Sequence, residues 1–286
     1  MRNKEFQLIS DHNSRPFLAD ASYIENGTPK PVIIFNHGFK GYKDWGTFPL
    51  VARYFASKGY VFIKMNFSHN GTTIDHPREF KDLEAFGNNN FSKELDDSGK
   101  LIDAVFHKEI PIPQNEIDLD KIYMIGHSRG GASIILKSNE DSRIKKIVTW
   151  AGVNDLQSFY NEDELKFWKE NGTIYVENAR TLQQMPLHYQ LVENYWKNED
   201  RLRVPKAIEN LKIPYLIIHG TEDDTVPVES TAKSVEWNPN AALHIIEGGD
   251  HTFGGYEPYD HDELPSDFLS AVEITNHFFQ NGKLPE

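Results

Sequence analysis

Three stretches of this chain carry side chains that could act together in nucleophilic catalysis. The first is residues 126–130, with the sequence GHSRG, which follows the apolar run of residues 121–125 and precedes a further glycine, Gly131. The pattern predicts a buried strand, a sharp turn and a helix, because glycines allow the backbone to turn tightly. A serine on such a turn projects its hydroxyl above the edge of a sheet. Ser128 is therefore the candidate nucleophile.

A serine hydroxyl is a weak nucleophile and needs a base that is oriented by an acid. In hydrolases of this geometry the acid and then the histidine follow the serine along the chain, each just after a strand. Residues 219–227 (HGTEDDTVP) and residues 247–253 (EGGDHTF) follow two late apolar runs, and the second segment contains His251. The first segment offers three candidate acids, Glu222, Asp223 and Asp224. Asp155 also follows a strand, but its position favours a cap on the next helix over a catalytic acid.

An acyl-transfer site also needs amide donors for the oxyanion that forms during the reaction. One donor is expected from Arg129, the residue after the candidate nucleophile. The other is expected from residues 36–41 (NHGFKG), which follow the first central strand. In that loop Gly38 lets the backbone turn its amides inward, so the amide of Phe39 is the second predicted donor.

The apolar pattern predicts elements that would hold these residues at one edge of a sheet. Predicted strands cover residues 4–10, 17–24, 32–35, 60–65, 121–125, 147–151, 213–218 and 241–246. Predicted helices cover residues 48–58, 91–107, 130–138, 229–236 and 265–280. Residues 67–90 are polar and are predicted to form a long loop. Strands that alternate with helices indicate an α/β fold with a mostly parallel, eight-stranded sheet, whose ligands bind at the carboxyl ends of the strands.

Residues 156–205 interrupt this alternation with many aromatic and charged side chains. An insertion of this length between sheet elements is usually a functional lid or cap. We therefore predict a core formed by residues 1–155 and 206–286 and a lid formed by residues 156–205. A short strand is predicted within it, at residues 173–176.

The composition narrows the classes of partner. The formal net charge of −13 disfavours nucleic acid and anionic membrane surfaces, and the absence of cysteine excludes disulfides and a cysteine nucleophile. Neither a signal peptide nor a membrane-spanning run is recognisable, so a cytoplasmic location is expected. The histidines lack metal-ligand spacing, so no metal and no cofactor are predicted. The sequence leaves open whether the chain forms a homodimer.

Four motifs together resemble the α/β-hydrolase superfamily: HGF at residues 37–39, GHSRG at 126–130, HGxxDxxVP at 219–227 and GDH at 249–251. The chain looks most similar to bacterial serine esterases of the dienelactone-hydrolase and cinnamoyl (feruloyl) esterase type. The likeness extends from Val32 to the end of the chain and implies a lid insertion after the sixth strand. The family spacing selects Asp223 as the acid, with Glu222 and Asp224 as fallbacks.

The resemblance implies a serine hydrolase that cleaves small carboxylic esters, with short-chain or aromatic acyl groups, through an acyl-enzyme. Ser128 would attack, His251 would transfer the proton, Asp223 would orient the imidazole, and the amides of Phe39 and Arg129 would bind the oxyanion. The same triad could serve a peptidase or a thioesterase, and the fold cannot decide between them. A non-catalytic binding protein on this fold is the third hypothesis.

Overall fold

A computed structural model describes residues 1–157 and 161–285 of the chain. The strands of the described part are β1 (Arg2–Ile9), β2 (Pro16–Tyr23), β3 (Lys30–Asn36), β4 (Val61–Met65), β5 (Ile117–His127), β6 (Ile144–Trp150), β7 (Thr173–Asn178), β8 (Gln183–His188), β9 (Tyr215–Gly220) and β10 (Ala242–Ile246). Its α-helices are α1 (Phe48–Ser57), α2 (Leu83–Gly87), α3 (Phe91–Phe106), α4 (Arg129–Glu140), α5 (Glu162–Asn171), α6 (Gln190–Lys197), α7 (Glu199–Leu202), α8 (Val204–Asn210), α9 (Ser230–Trp237) and α10 (Ser266–Asn281).

Eight strands form one sheet in the order β1-β2-β4-β3-β5-β6-β9-β10. Neighbouring strands from β4 to β10 run parallel, whereas β2 is antiparallel to both of its neighbours. The prediction of a mostly parallel eight-stranded sheet flanked by helices is confirmed. Because six strands run in one direction, the loops that carry Phe39, Ser128, Asp223 and His251 all leave the same edge of the sheet.

The central strands carry apolar side chains on both faces of the sheet, which explains why helices cover both faces. In β3, Val32 and Ile34 belong to one apolar cluster, and Ile33 and Phe35 belong to the cluster on the opposite face. Alternate side chains of a strand point to opposite faces, so a continuous apolar run requires helices on both sides. Helices α3, α4 and α8 pack on the first face, and α1 and α10 pack on the second.

Residues 156–205, here called the insert, lie between β6 and β9 in the chain. Their described part contains α5, the hairpin β7–β8, α6, α7 and the first residues of α8; residues 158–160 lie outside the described residues. The predicted short strand at 173–176 is confirmed as part of β7.

A third apolar cluster fixes the insert to the loops of the core. Trp168, Met185 and Leu187 of the insert pack there with Tyr42 and Phe86 of the core. The indole of Trp168 is fully buried and donates to the Leu187 carbonyl at 2.8 Å. Burying side chains of this size stabilises the contact by about 1.5–3 kcal/mol each. The insert is therefore packed against the loops at the carboxyl edge of the sheet.

Three local expectations were wrong. The predicted loop of residues 67–90 contains α2, which begins at the N-cap Asp82. Strand β8 was not predicted, because its sequence QQMPLH lacks the pattern of a strand. In the structure it is a strand through its antiparallel pairing with β7. The helix that follows Asp155 is capped not by Asp155 but by Asn161, whose side chain accepts from the Glu164 amide.

No helix of the described residues is long and apolar enough to cross a bilayer.

Candidate active site

Ser128 lies on a strained turn between β5 and α4, as the sequence predicts. Its backbone angles are φ 54° and ψ −123°, a left-handed conformation that costs a non-glycine residue on the order of 1–3 kcal/mol. The turn is held because the Ser128 amide donates to the Trp150 carbonyl at 2.9 Å and the Val153 amide donates to the Ser128 carbonyl at 3.0 Å. The residue is only 9% exposed. This geometry raises the serine hydroxyl above the carboxyl edge of the sheet.

Two glycines allow the backbone to approach this turn closely. A Cβ atom on Gly126 would lie 2.2 Å from the carbonyl oxygen of Gly130, and a Cβ atom on Gly38 would lie 2.8 Å from the Cβ of Ser128. Both distances are shorter than any real Cβ contact, so each position requires glycine. The HGF loop and the serine turn are thereby brought into van der Waals contact.

His251 and Asp223 form a hydrogen-bonded pair at the ends of neighbouring strands. The Nδ1 atom of His251 lies 3.0 Å from Oδ1 and 2.9 Å from Oδ2 of Asp223. Because a carboxylate only accepts, Nδ1 carries the proton and Nε2 keeps its lone pair. The Asp223 side chain is fully buried, whereas the His251 side chain is 16% exposed. This is the arrangement of an acid that orients a base.

Asp223 is surrounded by donors. Its Oδ1 accepts from the amides of Thr225 and Val226 at 2.9 and 2.8 Å, and its Oδ2 lies 3.2 Å from Nε2 of the fully buried His219. Burial alone would raise the pKa of Asp223, but the hydrogen bonds from His219 and His251 outweigh it and hold the pKa well below its usual range. Asp223 is therefore ionised.

The two fallback acids are placed differently. Glu222 and Asp224 are exposed, whereas Asp223 between them is buried. Among the described residues, the carboxylate that contacts His251 is that of Asp223. The structure thus distinguishes three neighbouring carboxylates that the residues of the segment alone left open.

Backbone hydrogen bonds join the acid loop to the histidine loop. The Thr221 amide donates to the Ile246 carbonyl at 3.1 Å, and the Glu222 amide donates to the Gly249 carbonyl at 2.9 Å. The Gly248 amide donates a hydrogen bond to the Thr221 hydroxyl at 2.8 Å. These bonds extend the pairing of β9 and β10 beyond the strand ends. They keep Asp223 and His251 in register.

His127, next to the serine, supports the histidine loop. Its Nε2 donates to the carbonyl of His251 at 2.8 Å, and the centroids of the two rings are 5.0 Å apart. Burial lowers the pKa of His127 to about 3, with a smaller contribution from the nearby His251. His127 is thus neutral near pH 7 and acts as a hydrogen-bond donor. This hydrogen bond connects the residue before Ser128 to the backbone of the histidine loop.

Phe39 and Arg129, the predicted oxyanion donors, line one cavity together with Ser128. Neither amide donates to another group within the described ranges 1–157 and 161–285. Arg129 opens α4, where the first amides of a helix have no intrahelical partner. The HGF loop is braced by His37, whose Nδ1 donates to the Gly38 carbonyl at 2.8 Å and whose pKa burial lowers to about 4. Within the described residues, the amides of both predicted donors are therefore unpaired.

The side chains of Phe39 and Arg129 are held together by contacts that the sequence did not reveal. The guanidinium carbon of Arg129 lies 4.6 Å from the ring centroid of Phe39 and 5.7 Å from that of Phe91. Arg129 also pairs with Glu94, which is 3% exposed and accepts from Asn89 at 2.7 Å. A cation stacked between two rings and paired with a buried carboxylate has little freedom. This stack fixes the side chains of the two predicted oxyanion donors.

Ser128 lies between two cavities of different character. The more polar of the two, here called the polar cavity, has a volume of about 370 Å³ and is lined by Ser128, His127 and His251 together with Lys40 and Arg180. The apolar cavity, of about 250 Å³, is lined by the aliphatic and aromatic side chains of Phe91, Val153, Leu156, Leu187, Leu191 and Val226. Phe39 and Ser128 border both cavities. No hydrogen bond of the described residues joins Ser128 to His251, although both face the polar cavity.

Sequence reasoning missed two kinds of residue in this site. His219 was not predicted to contact the acid, although it lies near the end of β9, four residues before Asp223. Leu187, Leu191 and Arg180 carry no local signal, because only the packing of the insert brings them to the serine. Within the described part of the chain, no group of histidine and carboxylate side chains has the arrangement of a metal site.

The chain matches the model of a protein family and is similar to curated proteins. The model of the prolyl oligopeptidase family matches residues 46–264. The chain is 25% identical over 166 residues to 2-hydroxy-6-oxononadienedioate/2-hydroxy-6-oxononatrienedioate hydrolase 1 of Dechloromonas aromatica (strain RCB). That alignment covers 47% of this chain and 57% of the relative, so the chain spans little more than half of that relative's length.

Solved structures share the fold. Est1E from Butyrivibrio proteoclasticus, solved with bound ferulic acid, is 19% identical with a TM-score of 0.69, over 96% of this chain and 98% of that chain. The acylaminoacyl peptidase of Pyrococcus horikoshii is 17% identical with a TM-score of 0.68, over 99% of this chain and 42% of that chain. At these identities the likeness shows the fold, which is the α/β-hydrolase fold.

Proposed function

This chain belongs to the prolyl oligopeptidase family, and we propose that within that family of serine hydrolases it cleaves carboxylic esters through an acyl-enzyme. Ser128 is the proposed nucleophile, His251 the general base and acid, and Asp223 the residue that orients the imidazole. The amides of Phe39 and Arg129 are the proposed oxyanion donors. No cofactor takes part in this reaction scheme.

The observation that carries the proposal is the Asp223–His251 pair beside a serine on a strained turn. Since Nδ1 of His251 donates to Asp223 at 2.9 Å, Nε2 is the nitrogen that can take the serine proton. The carboxylate stays ionised and stabilises the imidazolium that forms. A hydrogen bond between serine and histidine often tightens only when substrate is bound, so its absence from the free protein is compatible with this role.

The mechanism follows from these positions. Ser128 Oγ attacks the ester carbonyl carbon while its proton moves to Nε2 of His251, and the carbonyl oxygen becomes an oxyanion between the two free amides. The tetrahedral intermediate collapses, the carbon–oxygen bond to the alcohol breaks, and His251 donates its proton to the departing alkoxide. Water, deprotonated by His251, then cleaves the acyl-enzyme and restores the serine.

We propose that the insert acts as a lid that shapes the acyl side of this site. Leu187 of β8 and Leu191 of α6 form part of the apolar cavity beside Ser128. Both side chains also belong to the cluster that packs the insert on the core. The same contacts that hold the insert in place therefore wall the cavity that an acyl group would enter.

The test is turnover of a short p-nitrophenyl ester by the wild-type protein and by Ser128→Ala, with labelling by a fluorophosphonate probe. We expect the variant to lose both turnover and labelling while keeping its thermal unfolding midpoint. Ser133, a buried serine of α4 on the same chain, provides the matched control as Ser133→Ala. Full turnover by Ser128→Ala would refute the proposal, and absence of labelling in the wild type would favour a binding protein.

Peptidase activity is the second candidate, because the family that matches residues 46–264 is named for an oligopeptidase. The triad geometry serves both reactions, since both pass through the same oxyanion and acyl-enzyme. Parallel measurement of kcat/KM for an ester, a thioester and an aminoacyl amide with the same acyl group separates them. We expect the ester to be preferred; a preference for the amide would reassign the enzyme as a peptidase.

A further inference from the structure

The two cavities beside Ser128 divide a substrate into its acyl and leaving-group parts. His251 must reach the departing atom to protonate it, and His251 lines the polar cavity. The apolar cavity contains Ser128 and Arg129 but not His251. A substrate bound with its carbonyl at Ser128 therefore places its acyl chain in the apolar cavity and its leaving group in the polar one.

Two cations border the polar cavity without a carboxylate partner. Arg180, in the turn between β7 and β8, is exposed, and no carboxylate oxygen of the described residues lies within 4.0 Å of its guanidinium. Lys40, in the HGF loop, donates to the Glu177 carbonyl at 3.0 Å and likewise has no described carboxylate within that distance. Both side chains can therefore pair with an anion from the solvent.

Among the described residues, the carboxylate that lines this cavity is that of Glu257, and it already has a hydrogen-bond partner. An oxygen of Glu257 accepts a hydrogen bond from the Gly46 amide. The chain as a whole carries 43 acidic and 30 basic residues, so two unpaired cations at the mouth of one cavity stand out against an acidic surface. A cleft that carries unpaired charge of one sign attracts ions of the opposite sign.

We propose, on the basis of the proposed esterase function, that the natural substrates join an apolar acyl group to a leaving group that bears a carboxylate, which Arg180 and Lys40 bind. Arg180 is then a specificity-determining residue. Its planar guanidinium can hold a carboxylate through two hydrogen bonds, and the ammonium of Lys40 adds a second charge. The anion lies on the leaving group, remote from the reacting carbon, so its recognition acts mainly on KM.

The test compares two esters that differ only in the charge of the leaving group: 4-(carboxymethyl)phenyl hexanoate and its neutral carboxamide analogue. The methylene separates the charge from the phenol, so both esters have similar intrinsic reactivity. We expect the wild type to prefer the carboxylate ester and Arg180→Ala to lose about tenfold in kcat/KM on it, through a higher KM. The loss on the neutral ester should be clearly smaller than the loss on the carboxylate ester.

Two controls sharpen the comparison. Arg203→Ala removes another exposed arginine of the insert, one that does not line the cavity, and should leave both esters unaffected. Added salt should weaken the preference of the wild type for the carboxylate ester, because exposed charges are screened. Phenylacetate should slow fluorophosphonate labelling of the wild type more than phenylacetamide does, and should lose this advantage in Arg180→Ala.

The outcomes separate this inference from the function on which it rests. If the wild type hydrolyses the neutral ester equally well, or if Arg180→Ala lowers both esters alike, the anion site is refuted and the esterase function stands. If neither ester is hydrolysed and Ser128 is not labelled, the proposed function fails and the inference fails with it. Arg180→Lys should restore part of the preference, since it keeps the charge without the planar fork.

Discussion

Replacement of Asp223 by asparagine tests the site at the group on which its chemistry depends. All four partners of the carboxylate are donors: the amides of Thr225 and Val226, Nδ1 of His251 and Nε2 of His219. An asparagine keeps one acceptor and replaces the other with an amino group. With its oxygen on the two backbone amides, its amino group faces both histidines.

The histidines respond to this change in different ways. His219 Nε2 retains an acceptor in the Val226 carbonyl at 2.7 Å, so its proton stays in place. The new amino group stands at the position of Oδ2, 2.9 Å from Nδ1 of His251, and favours the tautomer in which Nδ1 accepts, in competition with the retained oxygen at 3.0 Å. In that tautomer the proton of His251 lies on Nε2, the nitrogen that has to act as the base. The variant keeps the shape of the site but holds the imidazole in the wrong tautomer.

We expect Asp223→Asn to lower kcat by about 10⁴-fold, which is the effect of the wrong tautomer in serine hydrolases and corresponds to about 5 kcal/mol of barrier. KM for the same ester should change little. The assay is steady-state turnover of a p-nitrophenyl ester, with circular dichroism to verify the fold. Asp224→Asn, which alters the exposed neighbouring carboxylate, is the matched control and should retain full activity.

The reasoning would be refuted by a loss of less than about tenfold in Asp223→Asn, since so small a change means that the acid does not set the tautomer. An equal loss in Asp224→Asn or Glu222→Gln would point to a different acid. A large loss that appears only in KM would place Asp223 in substrate binding.

Three further predictions follow from the same geometry. Hydrogen bonds depress the pKa of Asp223 in the folded protein, so its stabilising contribution is complete above its unfolded pKa of about 3.9 and is lost progressively as the pH falls from there towards the lower folded pKa. Urea unfolding should therefore show the wild type losing part of its advantage over Asp223→Asn between pH 7 and pH 3, and a constant difference would contradict this. Gly126→Ala places a methyl group 2.2 Å from a carbonyl oxygen and should destabilise the protein by about 1–3 kcal/mol. Gly99→Ala, within α3 and near only the flexible end of Lys137, should be neutral or stabilising when both variants are compared by thermal melting. Equal effects of the two substitutions would refute the packing argument. Leu191→Trp should fill the apolar cavity and lower kcat/KM for a hexanoyl ester while an acetyl ester is spared, and equal loss on both esters would argue against an acyl pocket there.

Much of the fold was predictable because the signals are local. The apolar runs around Ile34, Ile63 and Ile217 each fill a buried strand, and the glycines and polar residues between them mark where strands end. Helix α3 follows an amphipathic pattern and begins at Asn90, whose side chain accepts from the Lys93 amide. Elements without such signals were missed: β8 becomes a strand only because β7 pairs with it, and α2 is a single turn inside a polar segment.

The sequence by itself determined which residues can react and the order in which they meet the edge of the sheet. Ser128, Asp223 and His251 each follow a strand, and parallel strands end at one edge, so local pattern and chain order place them together. The family spacing favoured Asp223 among three adjacent carboxylates, and the tertiary structure shows that this carboxylate is the one buried against His251. Only the tertiary structure decided that His219 and His127 contact this pair and that residues of the insert line both an apolar and a polar cavity at Ser128. These contacts join residues far apart in the chain, and their geometry depends on how whole elements pack, which no short stretch of sequence encodes.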